Sequence, residues 1–137
     1  MNNTSAGEYT IKTKGFWSNE FSLELVPNRI NPSYENNISG QMGEMTFVSD
    51  KFGVCKGPYK LAKDDETFDM DVNVIESVNG IYCSKLQNRE YKWITVVIAF
   101  PVDSELNETV GPTKGKIAIR YKGKEILYKK MNMTLIQ

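Results

Sequence analysis

The chain of 137 residues carries 17 basic and 17 acidic side chains and is 40% hydrophobic, which suits one globular domain with a real core. No apolar run approaches the roughly 18 residues of a membrane-spanning helix. The absence of histidine removes Ser-His-Asp and Cys-His catalysis, His-ligated zinc and an imidazole pH switch, and a formal charge of zero argues against bulk attraction to nucleic acid.

Met1-Asn2-Asn3-Thr4-Ser5 holds no basic segment followed by an apolar one. Residues 1–7 are expected to be a flexible lead-in to a single domain spanning 1–137, and a signal peptide is expected to have been replaced by Met1. Strands are predicted at about 8–14, 20–26 and 41–49. Pro27 to Asn37 reads as a connector, and Lys56-Gly57-Pro58 and Lys63-Asp64-Asp65-Glu66 read as turns. Phe68 to Val74 alternates apolar with acidic or amide residues, and Tyr91 to Phe100 is apolar on both faces, the pattern of a central strand that Pro101 stops. Leu106 to Pro112 reads as a rim loop. In the last segment Ile117, Ile119 and Tyr121 alternate with polar residues, and Gly123-Lys124 fits a two-residue type II′ turn. That turn pairs Tyr121 with Ile126 and Ile119 with Tyr128, and a bulge at Lys129-Lys130 would set Met131 opposite Ile117. Seven to eight short strands at this spacing predict an all-β fold: an immunoglobulin-like antiparallel β-sandwich, with a small β-barrel as the alternative.

Cys55 and Cys83 are 28 residues apart and form no CxxC motif, which turns the reading away from zinc and thioredoxin-type chemistry. Two buried thiols and one disulfide are both open on that count. Sequons at Asn2, Asn3, Asn37, Asn107 and Asn132 exceed the roughly one or two expected by chance, which favours a secreted protein, a disulfide and glycosylation at Asn37 and Asn107. Asp64, Asp65, Glu66, Asp69, Asp71 and Glu76 could suggest calcium, but the D-x-[DN]-x-[DN]-G loop is missing and a solvated strand face accounts for them. Met42/Met45 and Met131/Met133 read as core rather than a soft-metal site. No metal, cofactor or catalytic residue is expected.

The charge is unevenly distributed. Residues 111–137 hold seven bases and one acid, and residues 1–110 hold ten bases and sixteen acids. The basic segment suits an anionic head group or an acidic partner, or serves to blunt an edge hairpin. The aromatic supply, Phe16, Trp17 and Trp93 through Tyr128 included, reads as core filling or as the lining of an apolar cavity. No aromatics are expected to interleave with the bases on the outer face, so nucleic acid is not an expected partner.

From Tyr82 to Ile136 the order of features resembles the MD-2-related lipid-recognition (ML) family. Cys83-Ser84-Lys85 precedes an aromatic strand ending in Phe100-Pro101-Val102, and Gly115 to Ile119 leads through Lys122-Gly123-Lys124 into a closing strand. The chain departs from that family in having no cysteine in the first or last strand. The resemblance implies a secreted, non-enzymatic sandwich holding a lipid or other apolar ligand between its sheets. Strand parity would set Phe68, Met70, Val72, Ile94, Val96, Ile98, Ile117, Ile119, Met131 and Met133 against that ligand, with Lys114 and Lys122 at a head group. The alternative is a protein-binding module with a solid core, of adhesion, inhibitor or immunity type, acting through an edge strand or rim loops.

Overall fold

In a computed structural model, residues 7–30, 41–64, 72–101 and 112–136 are described, with backbone alone at 29, 30 and 62–64. Nine strands follow one another: β1 (Gly7–Thr13), β2 (Glu20–Ile30), β3 (Gln41–Ser49), β4 (Gly53–Asp64), β5 (Val72–Ser77), β6 (Ile81–Cys83), β7 (Trp93–Pro101), β8 (Thr113–Tyr121) and β9 (Lys124–Ile136). Each pairs antiparallel with its neighbours in the chain, except that β5 and β6 both pair with β4 and β7 and not with each other, and β1 pairs with β9 from Glu8↔Ile136 to Thr13↔Met131. The sheet therefore closes on itself as an eight-stranded up-and-down barrel, because β5 and β6 share the position between β4 and β7. This overturns the expected sandwich, including the immunoglobulin-like form implied by the ML resemblance, and matches the barrel alternative. The alternation along each strand is the same in both architectures; the β1–β9 ladder separates them.

Alternate residues point inward and fill the barrel. Tyr9, Ile11, Leu23, Met45, Phe47, Tyr59, Ile75, Ile98, Phe100, Ile117 and Met131 belong to one core cluster. The outward face carries charges on most strands, among them Glu8, Lys12, Glu24, Glu44, Lys56, Lys60, Lys116 and Arg120. Apolar inside and charged outside is the reverse of a barrel built to face lipid along its wall. No helix is long and apolar enough to cross a membrane among the described residues.

Lys56-Gly57-Pro58 lies within β4 and is not a turn. β4 pairs with β6 at Lys56↔Tyr82 and with β5 at Tyr59↔Ser77, so Gly57 and Pro58 face the break between those two strands. A β-carbon on Gly57 would come within 2.8 Å of the Ile81 side chain, and a proline is tolerated where the adjoining ladder is interrupted. Asn79 and Gly80 form the kink at that break, both with positive φ. Beyond it a Cys55–Cys83 disulfide ties β6 to β4 at directly opposed positions. Where the β5 ladder ends, the buried Ser77 hydroxyl accepts the Val96 N–H at 3.0 Å.

The closing hairpin also differs from expectation. The turn is Lys122-Gly123, both with positive φ, the type I′ geometry in which glycine relieves one strained position. Arg120 pairs with Glu125 and Ile119 with Leu127, so the extra residue is Ile126 and there is no bulge at Lys129-Lys130. Met131 accordingly lies opposite Gly115, and Ile117 opposite Lys129. The strand β7 is not covered on both faces: Trp93 is exposed, and Val97 packs outward against a small cluster of Val72, Val74 and Ala99.

Candidate functional site

The up-and-down order puts the β1–β2, β3–β4, β6–β7 and β8–β9 connections at one end of the barrel, here termed the lower end. The opposite, upper strand ends are those that residues 31–40, 65–71 and 102–111 join.

Of the ten residues expected to face an apolar ligand, Ile94, Val96, Ile98, Ile117, Ile119, Met131 and Met133 do meet inside the barrel. Val72 does not join them: its partner is Pro101, and it belongs to the cluster outside the wall, because Asn73↔Phe100 and Ile75↔Ile98 set the inward phase of β5. Phe68, Met70, Asn37 and Asn107 lie outside the described residues, as do Asp65, Glu66, Asp69 and Asp71. The interior is occupied. A side chain bordering a void large enough for water exposes surface to it, yet Ile11, Phe47, Val96, Ile98, Ile117 and Met131 expose none. Its upper half holds buried polar groups. The Tyr59 hydroxyl donates to Gln41 Oε1 at 2.9 Å, and burial pushes Tyr59 up to about 12. Burial first, and the neighbouring Tyr59 second, raise Tyr9 further still.

Lys114 and Lys122 are not brought together. Lys114 is at the upper end of β8 and Lys122 in the lower turn, roughly 26 Å apart along an extended strand. No single head group spans them. Outside the wall, Thr10, Lys12, Glu20, Pro112, Asn132, Thr134 and Ile136 line an open depression of about 430 Å³, where Asn132 Oδ1 is buried without a hydrogen-bond partner among the described residues.

The lower end gathers what the sequence reading scattered. Its connections and the adjoining strand ends carry Lys14, Lys51, Lys85, Arg89, Lys92, Arg120, Lys122 and Lys124, with Lys129 and Lys130 of mid-β9 beside the β1–β2 loop, against Glu20, Asp50, Glu90 and Glu125. Among the described residues the one ion pair, Lys60–Glu76 at 3.9 Å, lies elsewhere. By sequence the three connectors joining the upper strand ends contain eight acids (Glu35, Asp65, Glu66, Asp69, Asp71, Asp103, Glu105 and Glu108) and no base.

Aromatic side chains stand among the lower-end bases, contrary to expectation. Tyr82 and Trp93 form an exposed cross-strand pair with ring centroids 6.2 Å apart. Lys122 Nζ is 5.4 Å from the Tyr91 ring, and on the outer wall above this end Lys116 Nζ is 5.8 Å from the Tyr128 ring, distances suited to cation–π attraction. The Tyr121 hydroxyl donates to the Tyr91 carbonyl at 3.2 Å. Phe16 and Trp17 are 90% and 77% exposed and meet edge to face at 5.2 Å.

The loop bearing Phe16 and Trp17 is anchored. Thr13 N–H donates to the Asn19 carbonyl at 2.9 Å and Asn19 N–H to the Thr13 hydroxyl at 2.6 Å, closing the loop at its base. The Lys14 N–H donates to the Lys130 carbonyl at 2.9 Å, and the Lys129 ammonium donates to the Trp17 carbonyl. From the sequence these two aromatics read as core filling or cavity lining, and neither reading fits their exposure. The signal against that was the absence of strand alternation between Thr13 and Glu20.

Comparison of the chain with models of known families, with characterised proteins and with solved structures finds no match.

Proposed function

We propose that this is a non-enzymatic binding protein whose solid barrel presents its lower, basic and aromatic end to an acidic partner. The observation that carries this reading is the concentration, at one end of a closed, filled scaffold, of exposed aromatics and of bases that form no ion pair among the described residues. Surface aromatics interleaved with cations are the composition of interface centres. Closure leaves no free edge strand, so of the two surfaces considered for a protein-binding module the rim connections are favoured. An occupied interior favours surface binding over an enclosed ligand, and the space between two sheets has no counterpart in a single closed one. The lack of histidine and the absence of a nucleophile motif favour binding over catalysis. The disulfide favours an extracytoplasmic setting, where such bonds persist.

Retention on immobilised polyglutamate tests the proposal. The protein should be held at low salt, and Lys122→Glu should elute at clearly lower salt than Lys114→Glu, whose charge is at the upper end of β8. Equal losses from both variants, or no retention, would refute it.

A further inference from the structure

Resting on that reading, we infer that the partner of the lower end is the surface of an anionic lipid bilayer, into which Phe16 and Trp17 insert. Adjacent large apolar side chains in full contact with water are costly and call for an occupant. Here they are held outward: Thr13–Asn19 closes the loop below them, and the Lys129 and Lys130 contacts fix it to β9. They engage each other and stand clear of the barrel surface.

The shape and charge of the tip select the partner. A protruding two-residue tip offers no groove for a peptide, whereas a deformable interface closes around it. Tryptophan and phenylalanine rings partition to the headgroup level, and nearby lysines add attraction to anionic lipid. Lys14 and Lys130 flank the tip, with Lys122 and Tyr91 at the same end. A single-stranded nucleic acid stacks on open ring faces; here Phe16 and Trp17 meet nearly perpendicular, at 86°, and Lys122 covers a face of Tyr91.

The two tryptophans, Trp17 and Trp93, make the test direct. The chain is floated with vesicles of phosphatidylcholine alone or with phosphatidylglycerol, and Trp93→Phe leaves Trp17 as the sole tryptophan reporter. Flotation is expected with the anionic vesicles, with Trp17 emission shifting to the blue and losing access to acrylamide. Phe16→Ser/Trp17→Ser, which touches no core residue, should weaken partitioning roughly tenfold or more, as should Lys14→Glu/Lys130→Glu. Unchanged Trp17 emission, undiminished flotation of the Phe16→Ser/Trp17→Ser variant, equal binding to neutral vesicles, or preferential binding of an oligonucleotide would each overturn the inference. Retention on polyglutamate without flotation would overturn the lipid partner and leave the acidic-partner reading standing; failure of both would remove both.

Discussion

Raising the pH should unfold this protein through two phenols. In an unfolded chain a tyrosine loses its proton near pH 10, whereas in the barrel Tyr59 keeps it until about 12 and Tyr9 beyond that, both because burial disfavours the phenolate. The stabilisation is therefore complete below pH 10 and disappears as pH climbs from 10 through 12, where the unfolded state binds fewer protons than the native one. For Tyr59 the interval corresponds to about 3 kcal/mol once fully expressed, and Tyr9, raised by burial in the same direction, adds to the loss. Against a total stability of roughly 5–15 kcal/mol, the pair is enough to drive alkaline unfolding. Urea titrations from pH 8 to 12, followed by near-ultraviolet circular dichroism and by tyrosinate absorbance, measure it. Two tyrosines should ionise only as tertiary structure is lost. Tyr59→Phe should cost about 1–2 kcal/mol at pH 7 through its lost bond to Gln41 while lessening the alkaline decline. Full and reversible tyrosine ionisation by pH 11, with tertiary structure intact, would refute the reasoning.

Reducing the Cys55–Cys83 bond, which closes a separation of 28 residues, should lower stability by about 3.5 kcal/mol, seen as a lower urea midpoint in dithiothreitol. Ser77→Ala should strand the buried Val96 N–H at a cost of about 1–3 kcal/mol, with faster hydrogen exchange at that amide. A β-carbon on Gly115 would overlap the Ala99 carbonyl oxygen, so Gly115→Ala should lose about 3 kcal/mol by forcing β7 and β8 apart, read by thermal denaturation.

Much of the local structure was legible. The strands at 41–49 and 91–100 match within two residues because alternation is a short-range signal, whereas the strand expected at 20–26 runs on through Pro27 to Ile30, part of what reads in sequence as a connector. The disulfide, favoured by the sequons, is formed. Closure was not legible: it depends on Glu8 meeting Ile136, a pairing that no local pattern encodes. Gly57-Pro58 misled for a related reason, since the break those residues accommodate belongs to the neighbouring strand. In β9 the apolar slip was visible but its position was not. Bulging Ile126 instead of Lys129-Lys130 turns Tyr128 outward and brings Lys129 into phase with Met131. The lower end was missed because strand parity fixes faces, while only topology decides which connections share an end. The basic C-terminal segment was noticed, yet its companions Phe16 and Trp17 arrive from the opposite extreme of the chain.

The β1–β9 ladder also orders events during synthesis. Tyr9 and Ile11 are made early, and their closing partners Leu135 and Met133 are made more than 120 residues later. At about 5–20 residues per second, β1 waits several seconds with one edge unpaired, a template for strands of other chains. The β2–β4 meander and the Cys55–Cys83 clamp can form in that interval, since all their residues have already emerged. Closure is therefore late and non-local, the kind of step that makes β-barrels slow folders, and a chaperone that shields β1 would act in that interval.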